Sequence, residues 1–197
     1  MTERILVVPK QTLFSEKYFQ GFLQKKEYDF LPLIQKHGFF TERTRELENN
    51  LGLKQIVTYQ VFTFNGKIFL YKRIIPTIEK RHLGNFSLGI GGHVSAENEK
   101  PVDVLEAGRK KEFEEETDYA GKYEAKLIGF INLEEGVNAV HFGLVYILSG
   151  SFPEIRMKEK YNLEMGLFEL SELKEYHEKM EDWSKLIFDG AKDVLGR

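Results

Sequence analysis

The sequence predicts an α/β (α+β) fold in which a sheet is covered by helices, and three features of its central part predict this. Two runs rich in β-branched and aromatic residues flank an Asn-Gly pair. A third apolar run ends in a group of glycines. A helix-like segment with four glutamates follows those glycines, and further strand-like runs come after it. Strands interleaved with helices in this way are typical of layered α/β domains.

The first two strands are predicted with the clearest turn signal. Gln55–Phe64 and Lys67–Ile75 are the two β-like runs, and Asn65-Gly66 separates them. An Asn-Gly pair between two such runs indicates a tight β-hairpin. Phe86–Val94 (FSLGIGGHV) is the third strand, and it ends in glycines.

A helix is predicted over Pro101–Tyr119. Pro101 suits the first helical position, and Asp103 is favoured there by the helix dipole. We expect Ser171 to cap a final helix, Glu172–Leu195. Strands are predicted between the two helices at Lys126–Leu133, Ala139–Leu148 and Asn162–Leu170.

Residues 1–52 read as an N-terminal extension of a domain formed by residues 53–197. Ile5–Val8 is a short β-like run, and Thr41 is placed to cap a helix over Glu42–Asn50. Phe14–Lys26 and Leu31–Lys36 are short helices or turns. Aromatic residues are dense in this segment, so we expect it to pack on the core. A lid that contacts the substrate is the alternative, and a surface that covers the partner in a homodimer is a further one.

Composition excludes several classes of function. The chain has 197 residues, a net charge of −3, and 42% hydrophobic and 30% charged residues, as expected for one globular domain with an extension. No basic block is present, so nucleic acid is not expected as the main partner. The absence of cysteine excludes disulfides, thiolate nucleophiles and cysteine-based zinc sites.

Targeting signals are not apparent either. The start, MTERILVVPKQ, lacks the apolar stretch of a signal peptide. The longest apolar run, Phe142–Leu148, is far shorter than the roughly 20 residues that a membrane span needs. We therefore expect a cytoplasmic protein with no membrane segment.

The acidic stretch KKEFEEETDY (Lys110–Tyr119) is the main candidate for chemistry. On a helix, Glu112, Glu115 and Glu116 are related by i, i+3 and i+4 and share one side, whereas Glu114 points away from them. Like charges at this spacing repel, and a hard divalent cation such as Mg²⁺ or Mn²⁺ removes the repulsion. The alternative is a solvated acidic face, which is common in proteins.

The glycines upstream make a ligand site more specific. Gly89, Gly91 and Gly92 end a strand, and a loop then leads to the acidic helix. Glycines let backbone approach a phosphate and offer it N–H groups. The alternative is that they relieve crowding or form a bulge.

These residues together resemble the box of the Nudix (MutT-type) hydrolases, G-x5-E-x7-R-E-U-x-E-E-x-G-U, in which U is a bulky apolar residue. The match consists of Gly91–Val94, Glu112–Glu116 and Tyr119 in the last apolar position. The resemblance covers residues 53 to about 190. It implies a Nudix-like mixed sheet flanked by helices, with the acidic helix in a loop-helix-loop motif. Residues 1–50 resemble the leading segment of a predicted-phosphoesterase branch.

The sequence departs from that box at several positions. Lys111 stands where the box has arginine, so the bidentate fork that would orient the glutamates is missing. Arg109 or Lys110 could compensate, although neither stands at the motif position. Asp103 takes the first glutamate position. Asp118 replaces the glycine that ends the helix, which predicts a helix running on toward Gly121, and the loop Ser95–Lys100 lengthens the segment before the helix.

The resemblance implies hydrolysis of a nucleoside diphosphate linked to another group, X. Glu112, Glu115 and Glu116 would then hold Mg²⁺ or Mn²⁺ and carry catalysis, and Glu112 and Glu116 are the best candidates for the general base. The partner is a small-molecule diphosphate. The candidates for an additional carboxylate ligand, each otherwise a surface residue, are Glu134, Glu135 and Glu164. The candidates for substrate contacts are Gly91, Gly92, His93, Arg73 and Lys111.

Several of these residues could instead have structural roles. His93 could simply hydrogen-bond its loop, and Arg73 could be a solvated strand residue. His141 is interpreted as a histidine on a strand face whose ring nitrogens have hydrogen-bond partners. The whole chain could instead be a catalytically weak ligand-sensing or interaction module with the same fold, or an unrelated structural protein with an acidic helix. An isopentenyl diphosphate isomerase of Nudix type is disfavoured, since the resemblance implies a catalytic cysteine there and this chain has none.

Overall fold

The computed structural model describes residues 3–73, 85–95, 103–158 and 162–195. The fold is mixed α+β, with a mixed sheet flanked by helices, as the sequence predicts. The chain divides into two compact units. The first comprises Met1–Tyr59, Gly91–Glu112 and Ile128–Val145, and the second comprises Gln60–Ile90, Phe113–Leu127 and Tyr146–Arg197.

Strands and helices alternate irregularly along the chain. The strands are β1 (Arg4–Pro9), β2 (Gly21–Gln24), β3 (Phe39–Glu42), β4 (Leu53–Phe64), β5 (Lys67–Arg73), β6 (Phe86–Ser87), β7 (Gly89–Ile90), β8 (Thr117–Asp118), β9 (Tyr123–Asn132), β10 (His141–Gly150), β11 (Arg156–Met157) and β12 (Asn162–Phe168). The α-helices are α1 (Lys10–Leu13), α2 (Leu31–His37), α3 (Val104–Glu116), α4 (Asp182–Gly190) and α5 (Lys192–Leu195). Single 3₁₀ segments cover Leu47–Asn49, Gly136–Val140 and Glu172–Lys179.

In the first unit, the N-terminal residues take part in strand pairing. β1 pairs antiparallel with β3 and with the start of β4, and β2 pairs antiparallel with the end of β9. Phe30 is fully buried, with its ring 5.2 Å from that of Phe130 and 5.3 Å from that of Phe142. Phe30, from the early residues, thus packs into the core of this unit with Phe130 and Phe142. The domain boundary at residue 52 stays a prediction.

In the second unit, β5 pairs antiparallel with β12, with β6 and with the end of β4. The predicted hairpin is confirmed, because Phe64 faces Lys67 across a two-residue turn. Asn65 and Gly66 both have positive φ, 48° and 78°, the conformation that favours Asn-Gly in such turns. The core here contains the Phe62 and Phe113 rings, and the half-buried Tyr119 ring packs against both.

Two predictions for the N-terminal residues are wrong. Thr41 does not cap a helix over Glu42–Asn50; it lies in β3 opposite Ile5, and only Leu47–Asn49 is helical, as a 3₁₀ turn. The run Phe14–Lys26 contains strand β2, which pairs with β9. In both cases the segment pairs with a strand that is distant in sequence, and local capping signals do not report such pairing.

The predicted final helix, Glu172–Leu195, is interrupted. Met180 and Glu181 are extended, and the Glu181 carboxylate accepts hydrogen bonds from the backbone of Trp183 and Ser184, so that α4 begins afresh. Ser171 makes no capping hydrogen bond with its side chain. Among the described residues, no helix combines the length and the apolar character needed to cross a membrane.

Candidate functional site

Backbone crowding requires the glycine at position 91. Gly91 has φ +145°, and a Cβ on it would lie 2.2 Å from the Thr58 carbonyl oxygen. The chain then follows β4: Thr58 N donates to Gly92 O at 2.9 Å and Val94 N donates to Ile56 O at 2.9 Å. The glycine run therefore lies close against a strand, at a position where L-residues are strained.

Gly92 makes room for a carboxylate. A Cβ on Gly92 would lie 2.4 Å from Oε2 and 3.1 Å from Cδ of Glu112. The Glu112 side chain, which is half-buried, thus occupies the space that any larger residue at position 92 would take. The structure therefore joins the glycine run to the acidic helix, the two features that the sequence singles out.

A capping residue holds the start of helix α3, and a close contact with Val94 holds its middle. The Asp103 carboxylate accepts from Leu105 N at 3.1 Å and from Glu106 N at 3.2 Å, which caps the helix. A Cβ on Gly108 would lie 2.9 Å from Val94 Cγ1, so the helix approaches the glycine run closely there. Pro101 lies outside the described residues.

The three motif glutamates lie in the last five residues of α3. Their i, i+3, i+4 spacing gives them one side of the helix. Glu112 and Glu116 are half-buried, whereas Glu115 and Glu114 are exposed. In the part of the chain that the structure describes, no three acidic or histidine side chains converge closely enough to hold a metal ion as they stand.

Cationic residues on α3 have described partners. Lys111 Nζ donates to Ser95 Oγ at 2.9 Å. Arg109 is 2% exposed, and its guanidinium forms two hydrogen bonds to the Glu106 carboxylate. Nε donates to Oε2 at 2.8 Å, and Nη2 donates to Oε1. Glu106 lies three residues before Arg109 and is not one of the three motif glutamates.

The end of α3 differs from its prediction. The helix ends at Glu116 and does not continue to Tyr119 or toward Gly121. Thr117 is buried, donates its hydroxyl to Phe113 O at 2.6 Å, and enters strand β8 with Asp118, which pairs with β11. Lys158 closes the end: its backbone N donates to Glu116 O at 2.8 Å and its Nζ donates to Glu114 O.

Arg73 lies at the end of β5, where its backbone N donates to Asn85 O at 3.1 Å. Its Nη2 is 3.5 Å from the Tyr71 hydroxyl, and that hydroxyl, fully buried, donates to Gly89 O at 2.8 Å. Arg73 Nε is buried and has no hydrogen-bond partner among the described residues. Tyr71, Glu181 and Glu116 all raise the pKa of Arg73 above its ordinary value, against the opposing effect of burial.

His93 contacts protein side chains. Its Nε2 lies 2.8 Å from Gln55 Oε1, and its ring centroid is 5.1 Å from that of His141. Since Gln55 uses its Nε2 to donate to Leu47 O at 3.3 Å, its Oε1 accepts and His93 Nε2 donates. Burial, with smaller effects from Arg43 and His141, lowers the pKa of His93 to about 3. His93 is therefore hydrogen-bonded to Gln55 of β4, and its role as a substrate contact stays a prediction.

Glu134, Glu135 and Glu164, the candidates for an additional carboxylate, have different surroundings. Glu134 pairs with Lys10 and, at 3.3 Å, with the fully buried ammonium of Lys54, and these contacts lower its pKa against the effect of burial. Glu135 is exposed and precedes the 3₁₀ turn Gly136–Val140. Glu164 is exposed and accepts from Met157 N at 2.7 Å, which ties β12 to β11.

Sequence reasoning missed the group around Arg73. Glu181 is 9% exposed and accepts from Ser184 Oγ at 2.7 Å and Ser87 Oγ at 3.4 Å, in addition to two backbone N–H groups. Glutamate is an unusual residue at a helix N-cap, so no local pattern marks it. Tyr71 is hidden in an ordinary strand pattern, KIFLYKR.

Comparison with known proteins places the chain within one superfamily. Protein YmaB of Bacillus subtilis (strain 168) is 29% identical over 200 residues, covering 96% of this chain and 97% of YmaB. The crystal structure of Tm1382, described as a candidate Nudix hydrolase, superposes with a TM-score of 0.82 at 31% identity, covering 98% of this chain and 100% of Tm1382. The chain belongs to the Nudix hydrolase superfamily.

More distant structures share the fold alone. The Nudix domain of Shewanella oneidensis NrtR, solved with ADP ribose, has a TM-score of 0.50 at 12% identity, covering 72% of this chain and 88% of that domain. Comparison with profiles of known protein families gives no match. Membership in the superfamily supports hydrolase activity on nucleoside diphosphate-linked compounds as a class.

Proposed function

We propose that this protein is a Mg²⁺- or Mn²⁺-dependent pyrophosphohydrolase that cleaves the diphosphate linkage of a nucleoside diphosphate-X or a related compound. The observation that carries the proposal is the packing of the Glu112 carboxylate over Gly92, since a Cβ there would lie 2.4 Å from Oε2. This contact gives a carboxylate a fixed place beside a backbone segment suited to phosphate oxygens.

The residues present fit such an ion by their chemistry. Glu112, Glu115 and Glu116 supply carboxylate oxygens, the donors that Mg²⁺ and Mn²⁺ prefer, and the space at Gly92 is shaped for one of these carboxylates. An ion held there would neutralise the diphosphate and promote ionisation of a water molecule. Helix α3 is anchored at both ends, by Asp103 and by Lys158, which keeps its carboxylates in place.

The protein groups divide the remaining tasks. Half-buried Glu112 and Glu116 are the candidates to take the proton from the attacking water. The backbone of Gly91 and Gly92 and the ammonium of Lys111, which donates to Ser95 Oγ, are the candidates to bind phosphate oxygens. His93 is assigned to holding the loop through Gln55, since its ring nitrogen is bonded there.

The substrate class follows from the relatives only as a proposal. An ADP ribose pyrophosphatase fused to an NMN adenylyltransferase in Francisella tularensis, and the NrtR domain bound to ADP ribose, share this fold at low identity. ADP-ribose-type compounds therefore lead the substrates to be tested. A ligand-sensing module without turnover is the competing function, because Lys111 replaces the arginine of the box.

The test is a hydrolysis screen over diphosphate compounds with Mg²⁺ and with Mn²⁺, run on wild type, Glu116→Gln and Glu114→Gln. Glu114 lies on the same helix, is exposed and faces away from the other three, so its variant controls for loss of a charge. We expect metal-dependent release of products in wild type and Glu114→Gln and its loss in Glu116→Gln. Tight ligand binding without turnover in all three proteins would instead support the sensing module.

A further inference from the structure

The segment Gly92–Ser95 runs along one side of α3 and contacts it at three points. A Cβ on its first residue would meet the Glu112 carboxylate, and a Cβ on Gly108 would lie 2.9 Å from Val94 Cγ1. The third contact is a hydrogen bond, in which Lys111 Nζ donates to the hydroxyl of the last residue at 2.9 Å. Gly108, Lys111 and Glu112 are related by i, i+3 and i+4, so they share the side of the helix that faces this segment.

The backbone of Ser95 is held by strand pairing. Ser95 forms an antiparallel bridge with Ile5 of β1, and the preceding carbonyl, that of Val94, accepts from Leu6 N at 2.8 Å. On the other side, Val94 N donates to Ile56 O of β4 at 2.9 Å. Ile5 and Val94 are fully buried. A single torsion angle separates a serine hydroxyl oxygen from its backbone, so this pairing gives the Ser95 hydroxyl a well-defined place.

The hydrogen bond to Ser95 restricts a side chain that is otherwise flexible. A lysine ammonium is a point charge on a four-carbon stem with many rotamers. Ordering such a side chain when a ligand binds weakens the affinity by about 2- to 10-fold. A side chain that the protein has already ordered does not impose this loss. Since an ammonium has three N–H donors, the bond to Ser95 occupies one of them.

We propose that Ser95 is a positioning residue, which orders the Lys111 ammonium in advance for contact with a phosphate oxygen of the substrate. The inference rests on the proposed function, in which Lys111 is a candidate to bind phosphate. It also gives the N-terminal residues a part in the site, because β1 pairs with the backbone that carries the Ser95 hydroxyl. The competing role is structural: the hydrogen bond would then only dock α3 on the neighbouring segment.

The two roles of Ser95 predict different kinetics. Loss of the ordering adds the same cost to the ground-state and transition-state complexes, so Ser95→Ala should raise KM about 2- to 10-fold and leave kcat unchanged. Both constants are measured with Mg²⁺ for the diphosphate compound that wild type hydrolyses fastest. Ser95→Thr keeps the hydroxyl and should restore most of the wild-type KM. An unchanged KM in Ser95→Ala overturns the inference, and so does a fall in kcat, which would indicate displaced helix glutamates.

A second measurement needs no substrate. Nitrogen-15 relaxation of Lys111 Nζ in the full chain reports the order of the ammonium on the picosecond-to-nanosecond timescale. Its order parameter should fall in Ser95→Ala and keep the wild-type value in Ser95→Thr. Lys111→Met removes the signal and thereby assigns it. Equal order parameters in wild type and Ser95→Ala overturn the inference.

Ser15→Ala is the matched control for the loss of a serine hydroxyl. Ser15 is exposed, also lies in the first unit, and its hydroxyl donates to Thr12 O at 2.9 Å. Its variant therefore removes one hydroxyl and one hydrogen bond without touching α3. Its KM, and the order parameter of Lys111 Nζ in it, should equal those of wild type. If Ser15→Ala raises KM as much as Ser95→Ala does, the effect is not specific to Ser95 and the inference fails.

A double-mutant cycle tests whether Ser95 acts through Lys111. In the Lys111→Met background, Ser95→Ala should cause no further rise in KM. Additive rises overturn the inference. If wild type hydrolyses no diphosphate compound, the proposed function fails, and the phosphate-binding role of Ser95 fails with it. The order parameter of Lys111 Nζ then shows separately whether Ser95 orders the ammonium, so the two failures are distinguishable.

Discussion

Replacing Gly92 with alanine tests the central contact of the candidate site. The added Cβ would lie 2.4 Å from Glu112 Oε2, whereas ordinary contact begins at about 3.4 Å. The Glu112 carboxylate must therefore retreat by about 1 Å. Position 92 is outside the left-handed region of backbone conformation, so alanine adds no backbone strain there.

The expected effect falls on function more than on stability. The displaced atoms are the end of a flexible side chain, so the free energy of unfolding should fall by only about 1 kcal/mol. A misplacement of about 1 Å in a catalytic group costs on the order of 10²-fold in rate. We therefore expect kcat/KM for the best diphosphate substrate to fall about 100-fold, and the Kd for Mn²⁺ to rise about tenfold.

The assay compares Gly92→Ala with Gly52→Ala. At position 52 an added Cβ would lie 3.1 Å from the Asn50 side chain, a milder contact, and this variant should keep wild-type kinetics. A second comparison uses Glu112→Gln, in which Gly92→Ala should cause little further loss. Wild-type Mn²⁺ affinity and turnover in Gly92→Ala would refute the reasoning, because the Glu112 carboxylate would then have no functional place over Gly92.

Three further predictions concern stability, each measured by urea unfolding. His93 has a pKa of about 3 when folded and about 6.5 when unfolded, so its contribution is complete above pH 6.5 and lost as pH falls toward 3. Wild type should lose about 2 kcal/mol between pH 7 and pH 5 from this cause, His93→Gln should not, and His37→Gln should retain the loss. Lys54→Met should lower the free energy of unfolding by about 2 kcal/mol at pH 7, because the buried Nζ donates to Ala139 O at 2.6 Å and the substitution leaves that acceptor unpaired. An unchanged free energy of unfolding would show that the ammonium is dispensable. Glu181→Ala removes the cap of α4 and should cost about 1–2 kcal/mol, and an unchanged midpoint would contradict the capping role.

Local chemistry made part of this structure predictable. Asn65 and Gly66 specify their turn by the φ values that each tolerates, and the structure has them at 48° and 78°. The three glutamates share a helix side because helical spacing alone decides it. Asp103, which the helix dipole favours near the N-terminus, lies at that end and caps the helix. These features need no knowledge of distant residues.

Features that depend on distant partners were not predictable. Thr41 is a good cap by residue type, yet strand β1 pairs with it from 36 residues away. Glu181 interrupts the final helix although glutamate seldom caps one, because serine hydroxyls from two elements hold its carboxylate. The fit of Glu112 over Gly92 joins residues 20 positions apart, and the sequence indicates only that both types are present.

The last turn of α3 is held by a segment some forty residues further along the chain. Lys158 binds the carbonyls of Glu114 and Glu116, and β11 pairs with the two residues that follow the helix. An insertion or deletion near residue 157 therefore reaches the acidic helix without altering any glutamate. The placement of the acidic helix thus depends partly on a strand that carries none of its glutamates.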